Sequence, residues 1–130
     1  ARIRIGKSSD VFALNVDLAP TFLAAAGIQA PKTMQGRDLS ALYASEKDPE
    51  WRTEYFYEHA IMKNVSFIPA SEALVRKDWK YMFWPDFKRE QLFDLTNDPM
   101  EERDLINDPA QKDRLTEMRK RFEELKTAAK

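Results

Sequence analysis

His59 is the only histidine of this sequence, and imidazole is the side chain best suited to act as a general base. Nucleophilic catalysis would need a nucleophile beside it. The chain has no cysteine, and no serine stands in a Gly-x-Ser-x-Gly elbow. A zinc centre needs three or four nitrogen or sulfur ligands, which one histidine cannot supply. The three glycines, at 6, 27 and 36, make neither a phosphate-cradling loop nor a dinucleotide fingerprint. Asp and Glu are plentiful, but they fall at turns and along an amphipathic stretch. There they read as caps and solvated faces rather than metal ligands. No catalytic residue and no metal ligand is therefore assigned to the chain. Two readings of His59 stay open. It ends a strand and bonds locally, or it points from a sheet into a neighbouring cleft.

The elements that would position His59 lie in the middle of the chain. Most aromatic residues fall between Trp51 and Phe93, which places the core there. Glu54 to His59 alternates as a strand, with Tyr55, Tyr57 and His59 on one face. Glu72–Arg76 and Trp79–Trp84 read as a hairpin turning at Lys77-Asp78. Trp79, Tyr81 and Phe83 share one face of it; Lys80, Met82 and Trp84 share the other. That first aromatic face is either a sugar-stacking platform or, the preferred reading, core beneath a helix. Glu90–Leu95 is a fourth strand, and residues 60–70 are expected to form a loop.

The flanks are helical. Asp17 is expected to cap a short helix that Gly27 ends, with Pro20 in its first turn. This helix is apolar on nearly every side, so it calls for burial on several faces. Little else in residues 1–48 could bury it, which predicts that a larger body belongs there. Ile3 and Ile5 alternate with polar neighbours as a strand end or loop does. A second short helix is expected near Leu39–Tyr43, and one helical turn at Met100–Arg103. Asp108-Pro109-Ala110-Gln111 then opens a long helix, with Asp108 as cap, Pro109 at its first position and Gln111 reaching back. Leu115, Met118, Phe122 and Leu125 give it one apolar stripe.

The fold class that follows is α+β, a four-stranded antiparallel sheet covered by a long C-terminal helix. Length supports one ordinary core. Lys and Arg number 21 against 22 Asp and Glu. That balance gives no electrostatic reason to expect nucleic acid or an anionic membrane. The longest uncharged run, Leu18–Pro31, is too short and too broken by proline and glycine to span a bilayer. The absence of cysteine leaves the compartment open.

Four stretches resemble sulfatases of the alkaline-phosphatase superfamily. Asn15-Val16-Asp17-Leu18-Ala19-Pro20-Thr21 through Ala26-Gly27 is similar to their V-D-L-x-P-T segment. Gln35-Gly36-Arg37-Asp38-Leu39 is similar to Q-G-x-S-L. Leu74-Val75-Arg76-Lys77-Asp78-Trp79-Lys80-Tyr81 resembles V-R-x-x-x-(W/Y)-K-Y. Gln91 to Glu101 with Asp104-Leu105 resembles E-L-(Y/F)-D-L-x-x-D-P-x-E-x-x-N-L. Order and spacing agree along nearly the whole chain. Asp38, Gln91 and Asp104 depart from the usual Ser, Glu and Asn.

The resemblance implies that residues 1–48 end a large α/β domain and that 49–130 form the C-terminal subdomain. It implies a calcium ion and a formylglycine held by an N-terminal part of the same polypeptide, since no (C/S)-x-P-x-R occurs here. That N-terminal domain is the expected partner, and a sulfated substrate, in particular a sulfated carbohydrate, binds the intact enzyme. The 130-residue chain alone is expected to be inactive. His59 and Lys80 are the substrate-binding candidates, because by resemblance their sheet borders the active-site mouth. A periplasmic or extracellular location is implied. Two alternatives remain: a related phosphodiesterase or phosphonate hydrolase sharing this tail, and a stand-alone glycan- or protein-binding module.

Overall fold

A computed structural model describes residues 6, 8–44, 49–60 and 68–129. They form two compact units that divide between Thr53 and Glu54. The expected strand end at Ile3 and Ile5, and residues 61–67 of the expected loop, lie outside the described residues.

In the first unit a single 3-10 turn, Asn15–Asp17, runs into α1, Leu18–Ala25. Pro20 sits in the first turn, where no intrahelical N–H is lost. Gly27 takes φ +70, the left-handed conformation that only glycine adopts cheaply. The Ile28 amide bonds the Leu23 carbonyl at 2.8 Å and the Gly27 amide bonds Ala24 at 3.0 Å. These are the two bonds of a Schellman stop. The second helix, α2, is Ser40–Ala44. Asp38 receives the Ser40 amide at 2.8 Å and its hydroxyl at 2.6 Å, so the departure from Ser at this position still serves the start of a helix.

The second unit is an antiparallel sheet in the order β1-β2-β3-β4, with β1 Glu54–His59, β2 Ser71–Arg76, β3 Trp79–Trp84 and β4 Arg89–Asp94. Each strand lies within a residue of its expected ends. Register aligns Phe56, Leu74, Tyr81 and Leu92 in one row across the sheet. The long helix α3, Lys112–Ala128, lies on that row. Its Phe122 ring is 5.6 Å from Phe56, 5.1 Å from Tyr81 and 6.5 Å from Phe83. Edge and tilted contacts of this kind add to the burial of the rings. Leu74, Leu92 and Met118 are fully buried with it. The Tyr81–Phe83 face is thus core beneath the helix, not a platform for sugar.

Around the apolar row, charged residues of the same sheet face meet α3. Glu54 pairs with Arg121 at 2.5 Å, Arg76 with Glu117 at 2.8 Å, Glu72 with Lys126 at 2.5 Å, and Glu90 with Arg119. The more exposed of these pairs contribute little alone, about 0–1 kcal/mol, whereas Glu72 is buried and Lys126 supplies the counter-charge its burial needs. Together they define where the helix lies along the sheet.

The turn before α3 departs from expectation. Met100–Arg103 is not helical. The Asp98 carboxylate captures the Glu102 and Arg103 amides at 3.1 and 2.8 Å, and Glu101 adopts φ +57. A side chain that takes the amides holds the backbone out of a helix. Asp108 caps as expected, accepting from the Ala110 amide at 3.0 Å, and Pro109–Gln111 form a 3-10 turn ahead of α3.

Candidate functional site

Asp17 was expected to cap α1, but its side chain makes no cap bond. It is fully buried. Its carboxylate accepts from the Leu14 amide at 2.8 Å and the Arg37 amide at 2.8 Å. Arg52 grips both oxygens, at 2.5 and 2.7 Å. The same guanidinium donates to the Phe12 carbonyl at 3.1 Å, and the Trp51 indole donates to that carbonyl at 2.8 Å. Trp51 lies 5.2 Å from Arg52 and 5.7 Å from Arg37 in cation–π range. Burial pushes the Asp17 carboxyl up. The Arg52 bond and the two amides outweigh it and hold the group below the usual carboxylate range.

This hub gives the first two motifs a physical meaning. Thr21 donates to the Asp17 carbonyl at 2.6 Å and accepts from the Leu39 amide at 2.9 Å. Asp17 and Thr21 thereby fasten the Gly36–Leu39 backbone against the start of α1. A Cβ on Gly36 would stand 1.9 Å from the Val16 carbonyl oxygen, so only glycine allows this approach. Sequence reasoning missed Arg52, which stands 35 residues from Asp17. The one available signal was its place next to Trp51.

The last motif is likewise a set of turns. Asp94 accepts from the Thr96 and Asn97 amides, both at 3.1 Å. Asp104 accepts from the Leu92 and Ile106 amides, both at 3.1 Å. The Leu105 amide bonds the Leu92 carbonyl at 2.8 Å, so this stretch of chain bonds to the edge strand β4 at Leu92.

His59 and Lys80 both lie on the sheet face turned away from α3, but they are not neighbours. Register places Lys80 beside Val75 and Tyr55, and His59 beside Ser71. Four residues along the strands and two strands across separate them, about 16 Å by ordinary sheet spacings. They cannot grip the same small group. The Lys80 ammonium is also occupied: both Glu101 oxygens bind it, at 2.9 and 2.7 Å. The left-handed turn at Glu101 carries that carboxylate, so K-Y and D-P-x-E, separate motifs in sequence, are one ion pair in space. His59 differs. Its Nδ1 is buried and has no hydrogen-bond partner among the described residues. An orphaned buried nitrogen costs about 1–3 kcal/mol, and it calls for a partner.

Among the described residues, no three His, Cys, Asp or Glu side chains gather to hold a metal ion. The resemblance implies calcium in an N-terminal part of the polypeptide and not among these residues. No helix among the described residues is long and apolar enough to cross a membrane.

The sheet, the covering helix and the architectural turns are those of a sulfatase C-terminal portion, and the comparisons agree. The sequence model for "N-sulphoglucosamine sulphohydrolase, C-terminal" matches residues 1–128. The chain belongs to that family. An N-acetylglucosamine-6-O-sulfatase of Bacteroides thetaiotaomicron is 30% identical over 102 residues, covering 76% of this chain and 18% of the relative. An arylsulfatase of Clostridium perfringens is 32% identical over 104 residues, covering 80% of this chain and 20% of the relative. A structure solved in complex with its substrate, D-glucosamine-2-N,6-O-disulfate, superposes with TM-score 0.84 at 26% identity, covering 94% of this chain and 25% of that one. The chain thus spans about a fifth of the length of the curated relatives named here.

Proposed function

We propose that this chain is the C-terminal part of an enzyme that hydrolyses sulfate esters of carbohydrates. The observation that carries the reading is the family match along residues 1–128, together with the likeness to a structure bound to a sulfated sugar. Residues 1–48 then end the large α/β domain and 49–130 form the C-terminal subdomain. The nucleophile, a formylglycine, and the calcium ion belong to the N-terminal domain of the same polypeptide. The 130 residues alone are inactive. An exported location, periplasmic or extracellular, accords with a carbohydrate substrate outside the cell.

Within that reading this chain's own chemistry is support and substrate contact. Of the two candidates His59 is favoured, because Lys80 is held by Glu101 while the His59 side chain makes no ion pair among the described residues and is only partly buried. Its Nδ1 is enclosed by the chain itself, so a bond to a substrate oxygen or to a group of the N-terminal domain would fall to Nε2. The test is turnover by the full-length polypeptide of sulfated glucosamine, of an aryl sulfate and of a phosphodiester. Cleavage of the sulfate esters is expected; preference for the phosphodiester would favour the related phosphodiesterases. Replacing His59→Ala is expected to lower kcat/KM about tenfold or more, the size of one lost hydrogen bond to a charged group. An unchanged kcat/KM would remove His59 from the site. Hydrolysis of an aryl sulfate by the purified 130-residue chain would overturn the division of labour.

A further inference from the structure

A cleft of about 390 Å³ opens in the second unit, between the start of β4, the segment before α3 and α3 itself. It is lined by Lys88, Arg89, Glu90, Asp104, Asn107 and Arg119, among others. Both acids have partners, although Asp104 Oδ2 faces only Arg89, at 3.9 Å. Glu90 holds Arg119 and Asp104 accepts two backbone amides. Arg119 is thereby fixed in place, and its guanidinium has donors beyond those Glu90 uses. Arg89 reaches Asp104 only at 3.9 Å and is 63% exposed. Lys88 has no acidic partner among the described residues. Its backbone sits at φ +49, a conformation that costs a residue with a side chain energy and would suit glycine or asparagine. There it ends the 3-10 turn Pro85–Phe87, its amide bonding the Pro85 carbonyl.

The charges sum to three cations against two carboxylates, a single positive excess. That excess matches a singly charged oxyanion with several acceptor oxygens. A sulfate monoester is such a group. Ile106 is the one apolar side chain among the described residues that line the cleft.

We propose that this cleft is a subsite for the sulfate ester of a carbohydrate chain, an inference that rests on the sulfated-carbohydrate reading above. Arg119 is the fixed donor, Lys88 and Arg89 close over the anion, and the Asn107 amide supplies a neutral hydrogen bond.

The test is an NMR titration of the chain with glucosamine disulfate, with unsulfated glucosamine and with sodium sulfate. Amides of Lys88–Glu90, Asn107 and Arg119 are expected to move with the sulfated sugar and to stay still with glucosamine. Movement with sodium sulfate at the same affinity would show an ion site without sugar selectivity and overturn the proposal. Lys88→Ala with Arg89→Ala is expected to weaken binding about tenfold, as losing a charge-assisted hydrogen bond does. Lys112→Ala with Lys120→Ala removes the same charge from exposed positions of α3 outside the cleft and is expected to leave Kd alone. Equal Kd for the two double variants, or unmoved cleft amides, would overturn it. In the full-length polypeptide the first pair is expected to raise KM for a sulfated oligosaccharide. Failure of the sulfatase reading shows separately, as absent turnover with any sulfate ester.

Discussion

Asp17 and His59 are two buried polar groups with opposite fortunes. Asp17 has every lone-pair direction answered, by two amides and a forked guanidinium. Replacing Arg52→Met leaves that carboxylate buried without its counter-charge. The expected cost is about 3–5 kcal/mol, read as lost stability of the first unit in urea, with the Trp51 indole N–H resonance as local reporter. Acid should do the same. The folded-state pKa of Asp17 is depressed, so its contribution is complete above the unfolded value of about 4. It is lost as pH falls through the lower folded value. The Trp51 indole signal is expected to hold its position above pH 4 and to shift below it. A signal that shifts instead near pH 6 would point away from Asp17.

At the scale of elements, α3 and the sheet stand or fall together. Phe122 packs on β1 through Phe56 and on β3 through Tyr81 and Phe83 and is 2% exposed. Phe122→Ala is expected to cost about 3–5 kcal/mol, measured by urea unfolding followed in the far-ultraviolet. Burial, with the Glu90 carboxylate beside it, pushes the Tyr81 phenol far up, so Tyr81 stays neutral through the physiological range. The elements themselves were legible in the sequence. Strand ends followed the two-residue alternation, and the stripe Leu115, Met118, Phe122 and Leu125 named the face of α3 that is buried. Asp108 and Gly27 marked their helix ends correctly, because capping is local chemistry. Met100–Arg103 was misread, since the turn there is made by the Asp98 side chain rather than by backbone preference.

For the whole molecule, α1 is the informative element. It carries Leu18 at 48% exposure and Phe22 at 69%, with Val16 and Ile28 beside it at 47% and 55%. Exposed apolar residues clustered on one element mark a surface meant for contact. The proposed N-terminal domain is the partner that suits it. Phe22→Lys is therefore expected to change the stability of the 130-residue chain by no more than about 0.5 kcal/mol, as surface substitutions do. In the full-length polypeptide it should lower the melting temperature by several degrees. Equal effects in both would mean that nothing further packs on α1.

The sequence by itself determined what depends on neighbours along the chain: the strands, the face of α3, the stops and caps, and the motifs that mark a sulfatase C-terminal portion. Tertiary structure alone decided the partners. Asp17 met Arg52 instead of capping its helix, Lys80 met Glu101 instead of standing free, and His59 and Lys80 came to lie about 16 Å apart. Periodicity and capping are written within a few residues, whereas a side chain's partner depends on register and burial, which exist only after distant segments have come together.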